Sequence, residues 1–191
     1  MQRKHIALVI GSLRRDSINR KIAQYIQSIA PASWVIDEIH IGDLPVYNQD
    51  FDAERIEAYE RVRAQIKQAD AVLFVTPEHN RSIPAAVKNL LDITSRPVGQ
   101  SVWTGKRAAV VCASPSTFGG LSSGLHLRQV LEALGVQVMI SPEVFLSKAF
   151  DLLNEQGDFT NERSQAFVQK FVVAWDVWLD RQIESKGSGT Q

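Results

Sequence analysis

The feature that most constrains this chain is an alternation, repeated five times: a short apolar run, then a stretch with helical periodicity. Ile6-Ala7-Leu8-Val9-Ile10, Ala71-Val72-Leu73-Phe74-Val75 and residues 108–113 are continuously apolar, as strands buried on both faces must be. Residues 34–41 alternate as a second strand, and residues 136–140 read as a fifth. Between them, Ile18, Ile22, Ile26 and Ile29 recur at helical spacing until Pro31. Ile56, Tyr59, Val62, Ile66 and Ala69 mark a second helix. A third opens near Pro84 and ends before Pro97, and a fourth covers residues 123–134. Phe167, Phe171, Trp175 and Trp178 form the stripe of a final helix. This pattern predicts an α/β fold: a three-layer sandwich, its five-stranded parallel sheet covered by helices on both faces. Right-handed crossovers and five strands favour the order 2-1-3-4-5. Ligands of such sheets bind beyond the carboxyl ends of the strands, near the switch between strands 1 and 3. The loops after Ile10, Val75 and Ala113 are therefore the ones to inspect.

Composition narrows the chemistry by exclusion. At 191 residues the chain fits a single domain, expected over residues 1–184, with the segment 185–191 a disordered tail around Gly187-Ser188-Gly189. Lys and Arg number 21 and Asp and Glu 21, so no global field points to nucleic acid or to an anionic membrane. A single cysteine excludes an internal disulfide and a thiolate cluster, and no metal site is expected. Residues 6–10 are too short for a signal-peptide core, and no apolar segment follows Arg14-Arg15 as an export signal requires. The expectation is a soluble cytoplasmic protein with no membrane partner.

The first loop, Gly11-Ser12-Leu13-Arg14-Arg15-Asp16-Ser17-Ile18-Asn19, joins a buried strand to a helix start. Free N–H groups and the helix dipole favour an anion there. Ser12, Ser17 and Asn19 add neutral donors and Arg14 a charged fork, which suits a phosphomonoester. Neither the G-x-G-x-x-G spacing of a pyrophosphate site nor the G-K-[S/T] ending of a P-loop is present. Read alone, Ser17 or Asn19 is also a simple helix cap. The second loop, Pro77-Glu78-His79-Asn80-Arg81-Ser82-Ile83-Pro84, is held extended by its prolines and presents its own N–H and C=O groups, an edge suited to a flat heteroaromatic. Glu78 and His79 also read as an acid–base pair, and His79 alone as an exposed loop residue. In the third loop, Ser114, Ser116, Gly119 and Gly120 precede a helix. The glycines there allow positive φ and close approach to a ligand plane, or merely a turn.

These residues resemble the NADPH-dependent FMN reductase family, in its bacterial quinone and chromate reductase branch. Gly11-Ser12-Leu13-Arg14 with Ser17 and Asn19, Pro77-Glu78-His79-Asn80 with Ser82-Ile83-Pro84 and Lys88-Asn89, Ser95-Arg96-Pro97, and Gly119-Gly120 with His126-Leu127-Arg128-Gln129 carry the likeness, over roughly residues 5–146. The resemblance implies a flavodoxin-like fold, bound FMN, NADPH or NADH as co-substrate, and a homodimer or homotetramer with flavin sites near subunit interfaces. It implies that Ser12, Arg14, Ser17 and Asn19 hold the FMN phosphate. Pro77, Glu78, His79, Asn80 and Ser82 would line the isoalloxazine, and Ser114, Ser116, Gly119 and Gly120 would cover its other side. The family has Tyr where this chain has His79. Arg128 and Glu143 stand where relatives form tetramer contacts, without the aromatic partner near Leu125.

The expected activity is ping-pong hydride transfer from NAD(P)H to bound FMN, then two-electron reduction of a quinone, with chromate, azo compounds and free flavin as further acceptors. The cofactor supplies the chemistry, so no protein nucleophile, triad or catalytic side chain is required. A flavodoxin-type electron carrier is the main alternative. A phosphoacceptor domain would need acidic residues after strand 1, where this chain has Ser and Arg, and a non-catalytic interaction domain would bind no flavin.

Overall fold

The computed structural model describes residues 3–187. Five parallel strands, β1 (Lys4–Ile10), β2 (Trp34–Glu38), β3 (Ala71–Thr76), β4 (Arg107–Ala113) and β5 (Gln137–Val138), pair in the order β2-β1-β3-β4-β5. A short β6 (Val144–Leu146) also lies parallel to β4. Helices α1 (Ile18–Ser28), α2 (Glu57–Gln68), α3 (Ala85–Thr94), α4 (Leu121–Ala133) and α5 (Glu162–Gly187) complete the flavodoxin-like sandwich.

Strand pleating divides the apolar residues into two cores. Ile6, Leu8 and Ile10 of β1, with Leu73 and Val75 of β3, pack under α1 and α5. Ala7, Val9, Val72 and Phe74 face α2, α3 and α4. The expected stripe on α5 is real and wider than the aromatics alone. Phe171 and Trp175 are buried with Val168, Val172 and Leu179, while Phe167 and Trp178 pack at its margin. Trp175 meets Trp34 edge-on at 4.9 Å, a geometry the ring quadrupoles favour.

The ends of the sheet are built differently. At the amino end, the Lys4 ammonium lies 2.6 Å from Asp176 and 2.7 Å from Asp180 of α5, and Trp34 Nε1 donates to the same Asp176 oxygen. Burial alone would lower the Lys4 pKa, but the hydrogen bonds and charge of the two carboxylates outweigh it and hold it above 10.5. At the carboxyl end the strands open into the long loops.

The edge elements depart from expectation. β2 stops at Glu38 rather than at residue 41; Ile39 N–H still donates to Leu8, but Ile39 and Ile41 turn under α2. The fifth strand, read as residues 136–140, is split. Its ladder lapses between Met139 and Glu143, where Pro142 has no N–H to donate and Ile140 is 81% exposed. Arg128 of α4 secures this interruption by donating to the Met139 carbonyl, and its Nε lies 3.7 Å from Glu143 of the same chain. α5 continues to Gly187, into the segment expected as a tail, of which residues 188–191 lie outside those described. Among the described residues, no helix is long and apolar enough to cross a membrane.

Candidate functional site

The loops following β1, β3 and β4 meet at the carboxyl end of the sheet. In the first, Ser17 caps α1, its Oγ accepting from Arg20 N–H at 3.2 Å. Ser12, Ser17 and Asn19 are buried, whereas Arg14 reaches into solvent. Asn19 does not cap the helix. Its Nδ2 donates across to the Ala113 carbonyl at 3.4 Å, and its Oδ1 is buried without a partner. An unpaired buried acceptor costs about 1–3 kcal/mol, so this atom is set up for a donor from outside the chain.

The second loop is a miniature hairpin. His79 N–H donates to Ser82 O at 3.0 Å and Ser82 N–H to His79 O at 2.9 Å. Asn80 and Arg81 both take positive φ, 49° and 64°, the pair of conformations a two-residue type I′ hairpin demands. The Glu78 carboxylate points at α4, where it accepts from the Ser123 N–H at 3.2 Å in the first helical turn. That carboxylate is a long-range helix cap, and Glu78 and His79 do not form the acid–base pair that adjacency in sequence allows. Arg81 lies 3.9 Å from Glu78 and over the Phe118 ring at 5.6 Å.

In the third loop Ser114 Oγ donates to Ser116 Oγ, also accepts from the Ser116 N–H, and the Ser114 N–H bonds to Leu146 of β6. Gly119 has φ 62°, and a Cβ there would fall 2.7 Å from the Phe145 backbone. Its smallness serves contact with β6. Gly120 is the left-handed N-cap of α4.

A cleft of about 140 Å³ runs between these loops. Of the residues read from sequence it brings together Ser12, Arg14, Ser17, Asn19, Pro77, Glu78 and His79. Asn80 and Ser82 stand behind His79 in the hairpin, and Ser114, Ser116, Gly119 and Gly120 lie off the lining, which the third loop reaches through Ala113 and Pro115. Phe150, 59% exposed, supplies a further wall that sequence reasoning missed. It projects from a 3₁₀ turn (Ala149–Asp151) fastened to the third loop by Lys148 N–H to Ser116 O and Ala149 N–H to Ser114 O. One aromatic in a short turn has no periodicity to announce it.

The donor set fits FMN. Ser12, Ser17 and Arg14 at the start of α1 suit a phosphate, and the orphan Asn19 oxygen suits a hydroxyl of the sugar-alcohol chain. The hairpin offers a fixed polar edge to a flat ring. Among the described residues no group of three or more His, Cys, Asp or Glu stands ready for a metal. Cys112 is buried, and that burial pushes its thiol up to about 12, away from reactive thiolate.

Comparison with known proteins identifies the family. The family model described as NADPH-dependent FMN reductase matches residues 5–151. A quinone reductase of Pseudomonas putida is 45% identical over 175 residues, covering 91% of this chain and 94% of its own length. A 2-hydroxy-1,4-benzoquinone reductase of Burkholderia sp is 39% identical over 179 residues, covering 93% of this chain and 98% of its own. Among solved structures, the flavoenzyme NAD(P)H:(acceptor) oxidoreductase FerB from Paracoccus denitrificans superimposes with a TM-score of 0.88 at 37% identity, over 94% of this chain and 98% of that one. Loops, cleft and relatives converge: the chain belongs to the NADPH-dependent FMN reductase family, as an NAD(P)H-dependent oxidoreductase that carries FMN.

Proposed function

We propose that this enzyme is a quinone reductase, in which electrons from NAD(P)H pass through FMN to a quinone at one shared face. The observation that carries the reading is the cleft itself, where a buried, unpartnered Asn19 oxygen and the serine and arginine donors at the start of α1 face a self-paired hairpin. Bound FMN supplies two-electron hydride chemistry. The protein's part is to hold, orient and polarise. Ser12, Arg14, Ser17 and Asn19 grip the phosphate and the adjoining chain. Pro77, Glu78, His79, Asn80 and Ser82 would present the hairpin edge to the ring. Ser114, Ser116, Gly119 and Gly120 shape the loop on the other side, with Phe150 at its border. His79, exposed at the rim, meets the incoming substrate.

The working unit in this reading is a homodimer. A cleft of about 140 Å³ is smaller than the roughly 300–1,000 Å³ of pockets that enclose a ligand. Phe118, Leu121 and Leu125 expose apolar surface at and after the start of α4, which a second copy would cover while completing the site. A cytoplasmic location agrees with the need for NAD(P)H.

The test is direct. The purified protein should be yellow or take up FMN at micromolar concentration, bleach anaerobically on addition of NADPH, and recolour with a quinone, with parallel double-reciprocal plots. Bound flavin that NADPH leaves oxidised would make the protein an electron carrier. A colourless protein that takes up no FMN would overturn the reading altogether.

A further inference from the structure

We infer that Ser123 and His126, on the first two turns of α4, are positioning residues that set the pose of the 77–82 hairpin and through it the rate of flavin reduction. The inference rests on the flavin site proposed above. It starts from how the hairpin is held. His79 and Ser82 satisfy each other's backbone groups, and Asn80 and Arg81 occupy the left-handed region, so the segment moves as one rigid piece between Pro77 and Pro84. Its internal bonds fix its shape but not its tilt.

The tilt is fixed from α4, at both ends of the hairpin. At the entrance, the fully buried Ser123 makes two contacts: its Oγ donates to the Pro77 carbonyl at 3.0 Å and its N–H to the Glu78 carboxylate at 3.2 Å. At the exit, Ser82 Oγ and His126 Nδ1 lie 2.8 Å apart. Ser123 and His126 are three residues apart, hence neighbours on one helix face. α4 is itself seated closely, since a Cβ at Gly124 would lie 2.5 Å from the Phe145 ring and 3.0 Å from Cys112 Sγ. The helix therefore acts as a rigid jaw closing on a rigid turn. His126 and Ser123 are not residues of the cleft lining, so a loss of either acts through the hairpin.

Reacting atoms displaced by about 1 Å lose up to roughly a hundredfold in rate. The variants His126→Ala, His126→Asn, Ser82→Ala and the double variant Ser82→Ala/His126→Ala test the assignment on FMN-loaded protein. His126→Ala and Ser82→Ala should each lower the limiting rate of flavin reduction by NADPH about tenfold or more, and in His126→Ala the FMN affinity should change less than about threefold. Their visible circular dichroism should shift in common. The double variant should be no slower than the slower single, because both remove one bond. His126→Asn, which keeps a hydrogen-bonding atom near Nδ1, should recover most of the rate. Wild-type rates and dichroism in both single variants, or additive losses in the double, would overturn the assignment. Wild-type protein that takes up no flavin would overturn the functional reading as well, which separates the two failures.

Discussion

The two ends of the sheet solve opposite problems. At the amino end the buried Lys4 ammonium is answered by Asp176 and Asp180, and Asp176 also accepts from Trp34. At the carboxyl end groups are left unanswered, with Asn19 Oδ1 buried alone, Arg14 extended into solvent and Phe150 uncovered. The buried ion pair sits away from the cleft, and the orphan Asn19 acceptor lines it.

The largest effect should come from the closed end. Asp176→Ala leaves Lys4 half-paired and Trp34 Nε1 without its acceptor, and should cost about 3 kcal/mol in denaturant unfolding with FMN affinity unchanged. The pH dependence sharpens this. Because the folded Lys4 pKa is raised, its contribution is fully present below about 10.5 and disappears as pH climbs through the folded value. Alkaline unfolding curves of wild type and Lys4→Met should therefore converge at high pH and differ near neutrality; parallel curves would remove Lys4 from the account.

At the open end the ranking of outcomes reverses. Arg14→Ala should weaken FMN binding by about ten- to a hundredfold, the scale of a lost charged hydrogen bond, while leaving unfolding within about 0.5 kcal/mol of wild type. Equilibrium dialysis would decide it, and an unchanged affinity removes Arg14 from the phosphate. Phe150→Ala should give the smallest effect, a flavin off-rate raised only a few-fold with no change in the unfolding midpoint, because the ring is already exposed. A change in stability without a change in off-rate would make Phe150 a structural residue.

The open end was far more legible in the sequence than the closed one. β1, β3 and β4 announce themselves because burial on both faces leaves only apolar residues, and the loops that follow them carry compact, chemically distinctive strings. The Lys4–Asp176 pair spans 172 positions, and no local pattern links them. The fifth strand misled for another reason. Val136 to Ile140 has the composition of a strand, but composition does not report where pairing with β4 lapses. Glu78 lies on the loop after β3 and lines the cleft, yet its carboxylate serves α4, a role that only the packing of that helix reveals.

The broken fifth strand has a consequence for solubility. A parallel sheet presents bare N–H and C=O groups along its two outermost strands, a template on which another chain can polymerise. Here one rim offers only the fragments Gln137–Val138 and Val144–Leu146, and the other, Trp34–Glu38, ends in the exposed charges of Asp37 and Glu38. Neither rim is long or neutral enough to recruit a strand. The same lapse in the ladder that obscured β5 in the sequence guards this enzyme against edge-to-edge aggregation.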